Sequence, residues 1–159
     1  MRITSLPIWL AGIWVMAGVQ MAWGGGTPGP LFLTAIAAGI WAGPIAGLII
    51  GTATGLCAAM LNGKAFMLIA LLTMACATAA GYLPRIFSRK HLLVGMLAAF
   101  VASFLASITL GALAAQPISA LLWFAVRRGG VNSLWMIPIY GIVLVVSMLR
   151  AATRDRGEI

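Results

Sequence analysis

The sequence predicts an all-α integral membrane protein, a single domain of six transmembrane helices in which the second and third form a short hairpin. Three observations lead there. The chain is 159 residues long, 63% hydrophobic and only 8% charged, where a soluble domain carries about 25% charged residues. No charged residue stands between Ile3 and Gly63, a run far longer than the roughly 20 residues of one crossing. The basic residues fall in short gaps between apolar runs or after the last one, as they do at the cytoplasmic ends of spans.

The first apolar run, 6–23, follows a single Arg2 and precedes no small-x-small cleavage site. It reads as a retained first span rather than a signal peptide. The stretch GGGTPGP (24–30) is a tight outer turn. The next apolar run, 31–61, makes about 46 Å of helix. One crossing of the hydrocarbon core needs about 30 Å and two need about 60 Å, so length alone does not decide whether it is one helix or two.

Local chemistry favours two. Ala42-Gly43-Pro44 reads as a stop followed by a start: glycine suits the position past a helix end and proline the first position of the next helix. Glycine recurs at 39, 43, 47, 51 and 55. Each four-residue step rotates a helix by about 400°, so five such glycines on one straight helix would drift about 160°. Split at Gly43-Pro44, the hairpin turn, the set leaves Gly47, Gly51 and Gly55 as one narrow stripe. The helices are then 31–42 and 45–61, with the turn near the cytoplasmic surface. Small residues let helix backbones approach closely in lipid. The stripe is therefore a packing face within the chain, a face for a second copy in a homodimer or for a partner protein, or a face for a bound ligand.

The remaining spans are 65–83, after the outer turn Asn62-Gly63-Lys64; 92–115, after the basic inner loop RIFSRKH (85–91); and 133–149, before a cytoplasmic tail, 150–159. The connection 116–132 contains PISALLWFAV (117–126), ten apolar residues that are too few to cross. They read as an outer interfacial segment, with Trp123, Arg127 and Arg128 as a candidate docking surface. Six spans with both ends in the cytoplasm put Arg2, Arg85, Arg89, Lys90, Arg150, Arg154 and Arg156 inside and leave only Lys64, Arg127 and Arg128 outside. Five spans separate the charges less well. Trp9 and Trp41 then lie near the inner interface and Trp23, Trp123 and Trp135 near the outer one, as an aromatic belt. Trp14 reads as internal packing, and Pro138 as a kink in the last span.

The net charge of +8 is laid out for lipid rather than nucleic acid, and it implies attraction to anionic headgroups. Cys57 and Cys76 both lie inside apolar runs and behave as small apolar residues. No metal site or cofactor is expected: His91 is the only histidine and has no second ligand nearby. No acidic residue precedes Asp155, which leaves no acidic proton relay within the spans. No nucleophile–base pair and no phosphate-cradling loop can be assembled. The intramembrane hydroxyls are expected to bond their own helix backbones. These readings point away from an enzyme.

The order of motifs resembles the rod shape-determining protein MreD family. The matching residues are Pro30, Gly47, Gly51, Gly55-Leu56, Gly63 and Gly81-Tyr82-Leu83, then Asn132, Trp135, Pro138 and Arg150. The resemblance covers about residues 28–90 and 131–156. It departs at the end of the third helix, where the family often has an aspartate and this chain has Cys57-Ala58-Ala59. The resemblance implies a non-enzymatic scaffold of the bacterial cell-elongation machinery, which organises peptidoglycan synthesis from the inner membrane. Its implied partners are MreC and also MreB, RodA and a class B penicillin-binding protein. The helical outline is also similar to the substrate-binding S components of energy-coupling-factor vitamin transporters. Such a subunit needs polar groups around its ligand, and the outer connections here offer few.

Overall fold

The computed structural model describes residues 6–22, 29–62, 66–87 and 92–155. All the regular structure among them is helical: α1 (Leu6–Ala22), α2 (Pro30–Ala42), α3 (Pro44–Asn62), α4 (Phe66–Ala80), a 3-10 turn at Leu83–Arg85, α5 (Leu92–Leu113) and α6 (Ile118–Asp155). Apolar stretches of α3, α4 with its 3-10 turn, α5 and α6 are long enough to cross a membrane. The apolar parts of α1 and α2, Ala11–Ala22 and Pro30–Ala42, are shorter. Among the described residues the protein is thus all-helical, with four helices able to span a bilayer, consistent with a multi-pass membrane protein.

α2 is the centre of the bundle. Ten consecutive residues, Leu31 to Ile40, are buried, and the helix touches α1, α3, α4, α5 and α6. A helix that is apolar on every side belongs in a core. At 13 residues it is about 20 Å long, and its shortness is hidden inside the protein. α3 lies along α4, and α5 runs antiparallel to α6, while α4 and α5 barely meet. The outer surface carries large apolar side chains, among them Met60, Leu93, Ile118 and Met148, a covering suited to lipid rather than water.

Three expectations require correction. First, the segment 117–126 is not a separate interfacial helix, the last helix does not begin at 133, and residues 150–155 of the tail belong to it. One helix, α6, runs from Ile118 to Asp155. Tertiary contacts carry it through Gly129-Gly130, where helix propensity is poor by about 1 kcal/mol per glycine. The ring of Phe100 packs against Gly129, whose Cβ would stand 3.0 Å from it. Second, Trp14 is not internal packing: it is 79% exposed, and it faces out because α1 meets the bundle through Ile13 and Met16. Third, α4 ends at Ala80 and α5 at Leu113, because the chain turns over at Gly81-Tyr82 and at Ala114-Ala115. Pro138 lies inside α6 and leaves the carbonyl of Leu134 without its usual N–H donor.

Candidate functional site: the glycine ladder and the α5–α6 hairpin

The hairpin turn is a single residue. Gly43 has φ 92° and ψ 176° and donates its N–H to the Gly39 carbonyl, while its own carbonyl accepts from Gly47 N–H at 2.9 Å. That region of backbone space is essentially restricted to glycine. Pro44 then opens α3. A Cβ at Gly43 would meet nothing within 4 Å, so Gly43→Ala is expected to cost only the backbone strain, about 1–3 kcal/mol. The thermal midpoint of the monodisperse fraction in mild detergent measures it.

Beyond the turn the glycines meet α4 backbone to backbone. A Cβ on Gly47 would run into the Ala77 carbonyl and stand 3.1 Å from the Gly39 Cα. A Cβ on Gly39 would strike the same carbonyl. α2, α3 and α4 therefore converge on Ala77. Further along α3, a Cβ on Gly51 would lie 2.9 Å from the Ala77 Cβ, and one on Gly55 would lie 2.9 Å from the Ala70 carbonyl. Gly81 closes the ladder, since a Cβ there would be 2.5 Å from the Pro44 backbone. The stripe Gly47, Gly51 and Gly55 is filled by this chain's own α4. The facing row, Ala70, Thr73, Ala77 and Gly81, was missed. Its signal is in the sequence, as small residues three or four apart.

The α5–α6 hairpin has its own close contacts. Gly95 lies under the ring of Tyr140, and a Cβ on it would be 2.6 Å from the ring Cζ. Tyr140 is fully buried and meets Trp41 edge-on, with ring centroids 5.7 Å apart. At mid-helix, Asn132 Nδ2 donates to Ser103 Oγ at 3.0 Å, and both residues are buried. Such a bond in lipid contributes about 0.6–2 kcal/mol. Asn132→Ala and Ser103→Ala should each lower stability, and the double variant should lose less than their sum. A thermal double-mutant cycle in detergent tests that coupling.

The candidate docking residues Trp123, Arg127 and Arg128 sit on α6 rather than on a separate segment. Trp123 and Arg127 are exposed, whereas Arg128 is half-buried with its guanidinium 5.1 Å above the Phe124 ring. Because Leu121 packs on Gly111 and Asn132 on Ser103, the arginine pair lies between these levels, inside the end of α5. Apolar side chains such as Ile118 and Leu122 project beyond it. Trp135, grouped with Trp123 in the outer belt, lies about 18 Å further along the same helix and packs against the core cluster that includes Met136 and Tyr140.

Six threonines behave as expected: Thr34, Thr52, Thr54, Thr73, Thr78 and Thr109 each donate to the carbonyl four residues back, whereas the buried Ser107 Oγ does not. Gln20 is buried, and its Oε1 accepts the Leu31 N–H at 3.3 Å, one of the donors a helix start leaves unpaired. Ala58 and Ala59, where relatives of the resembled family often carry an acid nearby, are buried in an apolar cluster with Leu31, Ile50 and Ile69. Trp23, Gly63, Lys64, Arg89, Lys90 and His91 lie outside the described residues. Among the described residues no group of His, Cys, Asp or Glu could hold a metal ion. Among the described residues the architecture is thus an all-helical bundle with four helices long and apolar enough to cross a membrane. No protein-family model, curated protein or solved structure matches the chain.

Proposed function

We propose that this protein is a non-enzymatic scaffold of the bacterial cell-elongation machinery, akin to the MreD family. In this reading it crosses the inner membrane six times, with α1 and the enclosed α2 as the additional crossings and both termini in the cytoplasm. One observation supports it above the others. The residues that carry the family resemblance include those that set the helix contacts: Gly47, Gly51 and Gly55 against α4, Gly81 against Pro44, Asn132 on Ser103 and Trp135 on the core. The resemblance therefore reaches the packing that defines the fold.

Because α4 occupies the glycine ladder, partners must be met elsewhere. The exposed flank of α6 with Trp123 and Arg127 is the surface offered to MreC, and through it to RodA and a class B penicillin-binding protein. MreB would be met from the cytoplasmic side. A tagged pull-down from native membranes in mild detergent, read by mass spectrometry, tests this. Recovery of MreC or RodA is the expected result, and Trp123→Ala with Arg127→Ala should reduce it severalfold. Recovery of a coupling subunit with ATPases instead would replace the scaffold reading by vitamin uptake.

A further inference from the structure

α6 is too long for one crossing. Its apolar stretch Ile118–Val146 has 29 residues, about 44 Å of helix against roughly 30 Å of hydrocarbon. Arg127 lies about 14 Å in from Ile118, which is the whole of that excess. With the membrane boundary at Ile118, the exposed Arg127 stands about two and a half turns deep in lipid, which snorkelling relieves only in part. With the boundary at Arg127, the exposed Ile118, Leu122 and Trp123 stand in water. Lipid alone satisfies one end of this segment and leaves the other unmet. No acid of this chain reaches Arg127 either. Asp155 ends the same helix about 42 Å away, Glu158 follows it, and the sequence holds no others.

We infer that the exposed stripe of Trp123, Arg127, Gly130 and Leu134 seats a membrane helix of a partner protein, with an aspartate or glutamate of that helix on Arg127. This rests on the flank of α6 being the partner surface of the scaffold, and adds what the partner carries. The four residues follow one another at helical steps of four, three and four, so they fall within about 60° on one face of α6. A Cβ at Gly130 would meet nothing within 4 Å, which lets another helix backbone approach closely there. Leu134 is exposed further along the span, so the occupant lies in the bilayer as a helix. Charge selects its chemistry. A second copy in the same orientation brings another arginine to this level and no acid, so the occupant is a different chain. An acid on Arg127 neutralises it at membrane depth, and the apolar side chains of the same helix cover Trp123.

The test places a photo-reactive side chain at Leu134 of the full chain in native membranes and maps the adduct by mass spectrometry. The expected adduct is on a transmembrane segment of another protein, with an aspartate or glutamate within about two turns of the attachment point. Arg127→Lys should keep its yield, and Arg127→Gln should lower it by about tenfold or more. Arg127→Glu should abolish it, and changing the partner's acid to lysine should restore it. Because Arg127 is exposed, these variants leave the fold intact, which the monodisperse peak in detergent checks. Phospholipid adducts alone, an adduct on a second copy, an acid-free segment, or a yield unchanged in Arg127→Gln overturns the inference. The scaffold reading is scored separately. An acid-bearing helix from a protein outside the elongation machinery keeps the inference and removes that reading, whereas recovery of MreC at a yield indifferent to Arg127 does the reverse.

Discussion

Gly47→Ala is expected to destabilise the protein by about 3 kcal/mol, the upper end of what overpacking costs. The added methyl meets the Ala77 carbonyl and the Gly39 Cα. Both are backbone, so no rotamer change can relieve the clash, and α3 must move away from α4 and α2 together. In lipid the lost close packing has no hydrophobic substitute, since apolar side chains gain nothing by leaving lipid tails for one another. Gly12 in α1 supplies the control. A Cβ there meets nothing within 4 Å, and alanine is favoured over glycine in a helix by about 0.5–1 kcal/mol. Heating the two variants in detergent and following the monodisperse peak should therefore shift the midpoint down for Gly47→Ala and level or up for Gly12→Ala. Equal midpoints for the two would remove the ladder as a determinant of the fold.

Gly95→Ala should have a comparable effect through a different mechanism. Here the obstacle is a side chain, the ring of Tyr140, and a ring can swing aside where there is room. Tyr140 has little, being fully buried and set edge-on to Trp41. The expected loss is about 2–3 kcal/mol. Tyr140→Leu alone should also destabilise, by leaving a cavity. Combined with Gly95→Ala it frees the space that the methyl needs, so the double variant should be more stable than the sum of the two losses predicts. Additive midpoints would show that the glycine and the ring do not constrain one another.

The two predictions rest on unequal amounts of foresight. The split at Gly43-Pro44 was legible because it depends on local chemistry, a glycine-only backbone and a proline that suits a helix start. The stripe Gly47, Gly51 and Gly55 was legible by helical geometry. Its partner was not, because nothing in a single helix's pattern states which neighbour it faces. α6 was misread for the opposite reason. RRGGVN at 127–132 has the composition of a loop, and only Phe100 and Ser103, some thirty residues away, show why it stays helical. Gly95 gave no signal, since its role depends entirely on where Tyr140 lands. Trp14 was misplaced because hydropathy separates apolar from polar, and in a membrane protein both the interior and the lipid-facing side are apolar.

The central position of α2 bears on the order in which the protein can be assembled. Its enclosing neighbours include α5 and α6, and about 75 residues separate Ala42 from the start of α6. At synthesis rates of about 5–20 residues per second, α2 waits roughly 4–15 s for its last wall. Throughout that time a helix too short for the bilayer sits beside lipid or the insertion machinery, held mainly by its hairpin with α3 and by α4. The nascent chain is therefore most exposed to proteolysis before α6 arrives. Truncations that end after α4 should be cleared rapidly in cells, even though every residue of the glycine ladder is already present in them.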